Sequence, residues 1–101
     1  MRIELLYFES CQGSAKTAGI LESAVTEEGI AAEIVATPLG ADDRRVFPGS
    51  PTVLVDGEDL FPAQRRDESR ALSCRIYSSP EGPKDHPTKA MVRAALRERS
   101  R

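Results

Sequence analysis

The chain contains no tryptophan, two tyrosines, three phenylalanines, one histidine and two cysteines. Two cysteines are too few for a disulfide scaffold, and a closed zinc site would need His86 and a carboxylate beside them. Their spacing carries no zinc signature. Charge of one sign is also scarce, with a net charge of −2. The chain therefore exerts no global attraction on nucleic acid or an anionic membrane. The late basic residues Arg93, Arg97, Arg99 and Arg101 have no aromatic interleaved with them, which argues for a solvated helix end over a nucleic-acid surface. No apolar run approaches a membrane span. The N-terminal run is broken by Glu4 and Glu9 and is too short and polar for a signal-peptide core. The expectation is a cytoplasmic protein with reduced cysteines and no nucleic-acid or membrane partner.

What is present fits one domain over residues 1–101, with 40% apolar and 30% charged residues, ordinary for a globular chain. Residues 3–8 are apolar on both faces and read as a buried central strand. Residues 14–28 read as a helix, with Ala18, Leu21 and Val25 on its stripe and Gly29 as its stop. Residues 31–36 give a second strand, and strand–helix–strand with short turns implies a parallel βαβ unit. A short helical turn is expected over 42–46. Residues 52–55 form a third strand, Asp56-Gly57 is a hairpin signal, and 58–61 return antiparallel. A final helix over 88–99 would turn Ala90, Met91, Ala94, Ala95 and Leu96 inward. The segment 62–87, broken by Pro62, Pro80, Gly82, Pro83 and Pro87, reads as a long irregular loop insertion. Residues 67–72 in it could make a helical turn.

Cys11 stands between the first strand and the first helix, where free N–H groups and the helix dipole favour a thiolate. Forty residues later comes Gly49-Ser50-Pro51-Thr52-Val53-Leu54-Val55-Asp56-Gly57. A cysteine at the first βα turn with Ser-Pro-Thr before a hydrophobic strand resembles the thioredoxin-like fold superfamily. The resemblance covers residues 1–61 and the last helix. It implies an α/β fold with a central four-stranded mixed sheet in the order β-α-β-α-β-β-α. It also implies a cis Pro51 lying against a nucleophilic Cys11, with Ser50, Pro51 and Thr52 presenting backbone groups to a substrate. The sequence departs from the superfamily's Cys-x-x-Cys, since Cys11-Gln12-Gly13-Ser14 places serine at the resolving position. Ser14 could hydrogen-bond the thiolate or cap the helix.

Cys74 lies in the insertion, within Cys74-Arg75-Ile76-Tyr77. Small bacterial thioredoxin-like proteins, some with mercury-related names, share that run. By the resemblance the chain leaving the fourth strand emerges near Cys11. Cys74 would then serve as a resolving thiol or, alternatively, as a small apolar anchor for the loop. Three functions follow. The first is thiol–disulfide exchange with a protein or low-molecular-weight thiol or disulfide, using Cys11, Cys74 and Ser14. The second is sequestration of a soft metal such as Hg(II) by Cys11 and Cys74. The third is a non-catalytic interaction domain. None implies a cofactor. His86, in a polar and proline-rich stretch, reads as an exposed loop residue, with a base for Cys11 as the alternative. Arg65, Arg66, Arg70 and Arg75 read as solvated charge.

Overall fold

The computed structural model describes residues 1–8, 12–38, 50–62 and 75–99. Cys11, Cys74 and the turns expected over 42–46 and 67–72 lie outside the described residues.

The first strand, β1 (Arg2–Tyr7), alternates Ile3, Leu5 and Tyr7 toward one face of the sheet and sends Leu6 to the other. Both faces are covered, with Ile3, Leu5 and Leu6 all buried, as a central strand requires. Helix α1 (Gln12–Glu28) follows, burying Thr17, Leu21 and Ala24 against the sheet. Its end is a Schellman turn. Gly29 adopts φ +64°, and its N–H donates to the Thr26 carbonyl while Ile30 N–H reaches back to Val25. Glycine enters this left-handed conformation without the penalty a Cβ would bring.

Strand β2 (Glu33–Pro38) lies parallel to β1, pairing Ile3 with Ile34 and Leu5 with Ala36. Strand β3 (Thr52–Val55) runs antiparallel on β1's other side, and β4 (Glu58–Asp59) pairs antiparallel with β3. The result is a four-stranded mixed sheet in the order β2-β1-β3-β4. The β3–β4 connection is a two-residue turn with positive φ at Asp56 and Gly57, the backbone that matches strand twist in a tight hairpin. Asp56 Oδ1 accepts the Arg2 N–H at 2.9 Å, and Asp56 N–H donates to the Arg2 carbonyl at 2.8 Å, fastening this turn to the start of β1.

The segment 62–87 is not irregular throughout. Strands β5 (Tyr77–Ser79) and β6 (Gly82–Lys84) form a separate antiparallel hairpin. Gly82 has φ +109°, and Ser79 Oγ donates to the Gly82 carbonyl while accepting the Glu81 N–H. The prolines that argue against a strand sit at the turn and on a two-stranded ribbon, where a missing donor costs little.

Helix α2 (Lys89–Arg99) begins with Thr88 as N-cap, its Oγ1 accepting the Met91 N–H at 3.2 Å. Its buried pair is Val92 and Leu96, flanked by Met91 and Ala95. Ala90 and Ala94 are exposed, so the inner face is turned from the expected one: the i, i+4 pair of larger side chains takes the core and the alanines are left outside. Helices α1 and α2 pack together on the same side of the sheet.

Candidate functional site

Four chain segments converge at one end of the sheet: the end of β1, the first turn of α1, the stretch 50–52 leading into β3, and the stretch 75–77 leading into β5. Ser50 is central. Its Oγ accepts the Phe8 N–H at 3.3 Å, and its carbonyl accepts the Arg75 N–H at 2.8 Å. Phe8 lies three residues before Cys11, and Arg75 directly follows Cys74. The Ser50–Pro51 peptide bond is cis. Ser50, Pro51 and Thr52 are all buried. The Pro51 carbonyl accepts the Tyr77 hydroxyl at 2.6 Å. The carbonyls of Ser50 and Pro51, which the resemblance assigns to a substrate, are thus engaged by the chain's own 75–77 segment.

Arg75 holds that segment down. Its side chain is 0% exposed and that of its partner Asp59 is 5% exposed. Nη1 donates to Asp59 Oδ2 at 3.0 Å and to Thr52 Oγ1 at 3.3 Å. Nη2 donates to Asp59 Oδ1 at 3.3 Å and to the Phe61 carbonyl at 2.8 Å. Asp59 Oδ1 also accepts the Phe61 N–H. The guanidinium carbon lies 4.8 Å from the Tyr77 ring centroid, and Phe61 meets that ring edge-on at 5.5 Å. A two-toothed, ring-backed pair of this kind suits arginine's planar fork and would not be reproduced by lysine.

Ser14 is buried. Because the helix starts at Gln12, Ser14 lies inside the first turn and not at the cap position considered for it. Together with Leu5, Tyr7, Ala15, Ala18 and Ala36 it lines an open, mostly apolar cleft of about 220 Å³. Gly13 is packed against the chain between β6 and α2, where a Cβ would overlap the Asp85 carbonyl. The Asp85 carboxylate sits 4.0 Å from Lys16 Nζ and 3.9 Å from His86 Nε2. His86 is part-buried, its side chain 17% exposed, with Nδ1 2.9 Å from the Pro87 carbonyl. The sequence reading of a freely exposed histidine is therefore revised.

Sequence reasoning missed Asp59 and Asp85 and misjudged Arg75. The Arg-x-Tyr run after Cys74 was the available signal for a docked segment. Nothing local marks Asp59, which belongs to a turn-and-strand pattern that reads as surface. Among the described residues no group of three or more His, Cys, Asp or Glu side chains could hold a metal ion, and no helix is long and apolar enough to cross a membrane. No family model, no curated protein and no solved structure matches the chain.

Proposed function

We propose that this protein is a thioredoxin-like thiol protein that carries out thiol–disulfide exchange, with Cys11 as nucleophile and Cys74 as resolving thiol. The observation that carries the reading is the double hydrogen bonding of Ser50, which ties the chain before Cys11 and the chain after Cys74 to one cis-proline loop. The strand order β2-β1-β3-β4, with β1 and β2 parallel and two helices on one face, supports the fold half of it.

The chemistry is a two-electron exchange. The Cys11 thiolate, favoured at the start of α1 by the helix dipole, attacks one sulfur of a partner disulfide. The partner's S–S bond breaks, one partner thiol leaves, and a mixed disulfide remains. Cys74 thiolate attacks Cys11 Sγ in that mixed disulfide and releases the second partner thiol. The partner is reduced and the protein holds a Cys11–Cys74 disulfide, which a low-molecular-weight thiol of a reducing compartment such as the cytoplasm resets. In this scheme the 75–77 segment occupies the loop carbonyls and brings its own cysteine, so Cys74 takes the role that Ser14 cannot fill.

The test is oxidation of the native protein with a thiol oxidant followed by peptide mapping, with turnover of a small disulfide measured alongside. A Cys11–Cys74 link, loss of turnover in Cys11→Ser and a trapped mixed disulfide in Cys74→Ser are expected. Stoichiometric Hg(II) uptake without disulfide turnover would replace this reading with metal sequestration. Two unreactive thiols would leave an interaction domain.

A further inference from the structure

We propose that the outer edge of β2 is a self-association surface, on which β2 of a second copy pairs antiparallel about a two-fold axis at Val35. This goes beyond the thiol-exchange reading and does not depend on it. The first observation is the direction of the backbone groups. Glu33 N–H donates to the Met1 carbonyl, and Glu33 is registered with Arg2. Successive residues of a strand turn their N–H and C=O groups alternately to its two sides. Glu33, Val35 and Thr37 therefore bond toward β1, and the groups of Ile34 and Ala36 point off the sheet. β2 ends the order β2-β1-β3-β4, and among the described residues nothing pairs with its outer side.

The second observation is that this edge is undefended while the opposite one is not. β4 is two residues long, both acidic, and the Asp59 carbonyl is taken by Arg99 at 2.9 Å. Short, charged or covered edges of this kind resist pairing with other chains. β2 has six residues, with Glu33 at one end, Pro38 at the other and the uncharged run Ile34-Val35-Ala36-Thr37 between them. Such a run offers another strand a template of free donors and acceptors.

The third observation is self-complementarity. An antiparallel copy sets residues with outward groups opposite one another. Ile34 against the partner's Ala36 is the register that matches a large side chain with a small one. Each such pair exchanges both N–H···O bonds, and the axis then falls between Val35 and the partner's Val35. Glu33, the one charged residue of β2, meets the partner's Thr37, so no like charges are opposed. Ile34 and Ala36 are registered with Ile3 and Leu5 and share their helix-bearing face of the sheet. Ala36 is exposed and, with Leu5, Tyr7, Ser14, Ala15 and Ala18, lines the open apolar cleft of about 220 Å³. The partner's Ile34 stands at the mouth of that cleft, and the two-fold axis repeats the contact with the roles exchanged. On α1, Ala15 and Gly19 are exposed and one turn apart, and the space around Gly19 is open, which leaves clearance for the partner's helix.

The experiment is sedimentation equilibrium of the native chain from micromolar to millimolar concentration, under a thiol reductant so that no disulfide joins the copies. A doubling of mass with rising concentration is expected. Val35→Lys and Val35→Glu each oppose like charges at the axis and should stay monomeric where the native chain is dimeric. Their equimolar mixture should regain the doubled mass. A second measurement needs no variant. In amide exchange of the native chain, Ile34 and Ala36 should slow by about tenfold or more from dilute to concentrated samples, whereas Val35, bonded within the sheet, is protected in both. A native chain that stays monomeric to millimolar concentration overturns the proposal. A dimer that survives both Val35 variants, or that leaves the Ile34 and Ala36 amides exchanging freely, overturns it as well. Protection of those amides in a monomer by an added extended peptide would assign the edge to another chain's strand and also overturn it.

Discussion

Arg75 and Asp59 are the side chains on which the site's shape depends. Each is buried, the two are joined through both Asp59 oxygens and both terminal Arg75 nitrogens, and both also bond backbone or hydroxyl groups. Removing one partner strands a charge in a medium that solvates it poorly, a cost of about 3–5 kcal/mol. Asp59→Ala is expected to lose that much in urea unfolding, and the double variant Asp59→Leu/Arg75→Met to recover a large part of it. A loss under 1 kcal/mol would show that the pair is dispensable. Tyr77→Phe leaves the buried Pro51 carbonyl without its 2.6 Å donor, at a cost of about 1–3 kcal/mol, and should loosen the 75–77 segment enough to raise its amide exchange. None of this is visible along the sequence. Arg75 follows Arg65, Arg66 and Arg70 in a polar stretch, and its burial depends on Asp59, sixteen positions away on the other hairpin.

At the scale of elements, the two helices are joined by charge where their own dipoles offer no help. Glu27 and Glu28 lie at the C-terminal end of α1, where acids are unfavourable. Lys89, Arg93 and Arg97 of α2 offset this. Lys89 and Arg93 reach Glu27 at 2.7 and 3.0 Å, and Arg93 and Arg97 reach Glu28 at 2.7 and 2.8 Å. Hydrogen bonds from Arg97 and then Arg93 lower the Glu28 carboxyl from its ordinary 4.5 to about 2, while the Lys89 hydrogen bond lowers that of Glu27. A lowered carboxyl pKa adds stability that is complete above pH 4.5 and is lost as the pH falls through about 2. Glu28→Gln should therefore lower the urea midpoint at pH 7, and its difference from the native protein should shrink toward pH 2. A constant difference would argue against the charge ladder. Gly29→Ala forces a Cβ into φ +64° and is expected to cost roughly 1–2 kcal/mol. The helices, their glycine stop and the hairpin turn were legible because 3.6-residue spacing and positive-φ residues are local signals. The β5–β6 hairpin was hidden because its strands are three residues each and one contains proline.

For the whole molecule, the proposed pairing of Cys11 with Cys74 has a thermodynamic consequence. A link between them closes a loop of some sixty residues, and constraining such a loop in the unfolded chain is worth about 4 kcal/mol in the chain-entropy account. The oxidised protein is expected to show a higher urea midpoint than the reduced one, and Cys74→Ser to be insensitive to oxidant. A mapped disulfide with equal midpoints would mean that the folded state is strained by the link to the same extent.

The sequence by itself determined the α/β class, the central position of β1 and the β3–β4 hairpin. Each rests on hydrophobic period, turn chemistry or length, which act between near neighbours in the chain. Only the tertiary structure decided that Arg75 is a buried clamp, that the Ser50 and Pro51 carbonyls are taken by the chain's own segment, and that Asp85 lies against the first turn of α1. Those contacts join residues 14 to 72 positions apart, and their energies come from desolvation and close packing that exist only once the chain has closed on itself.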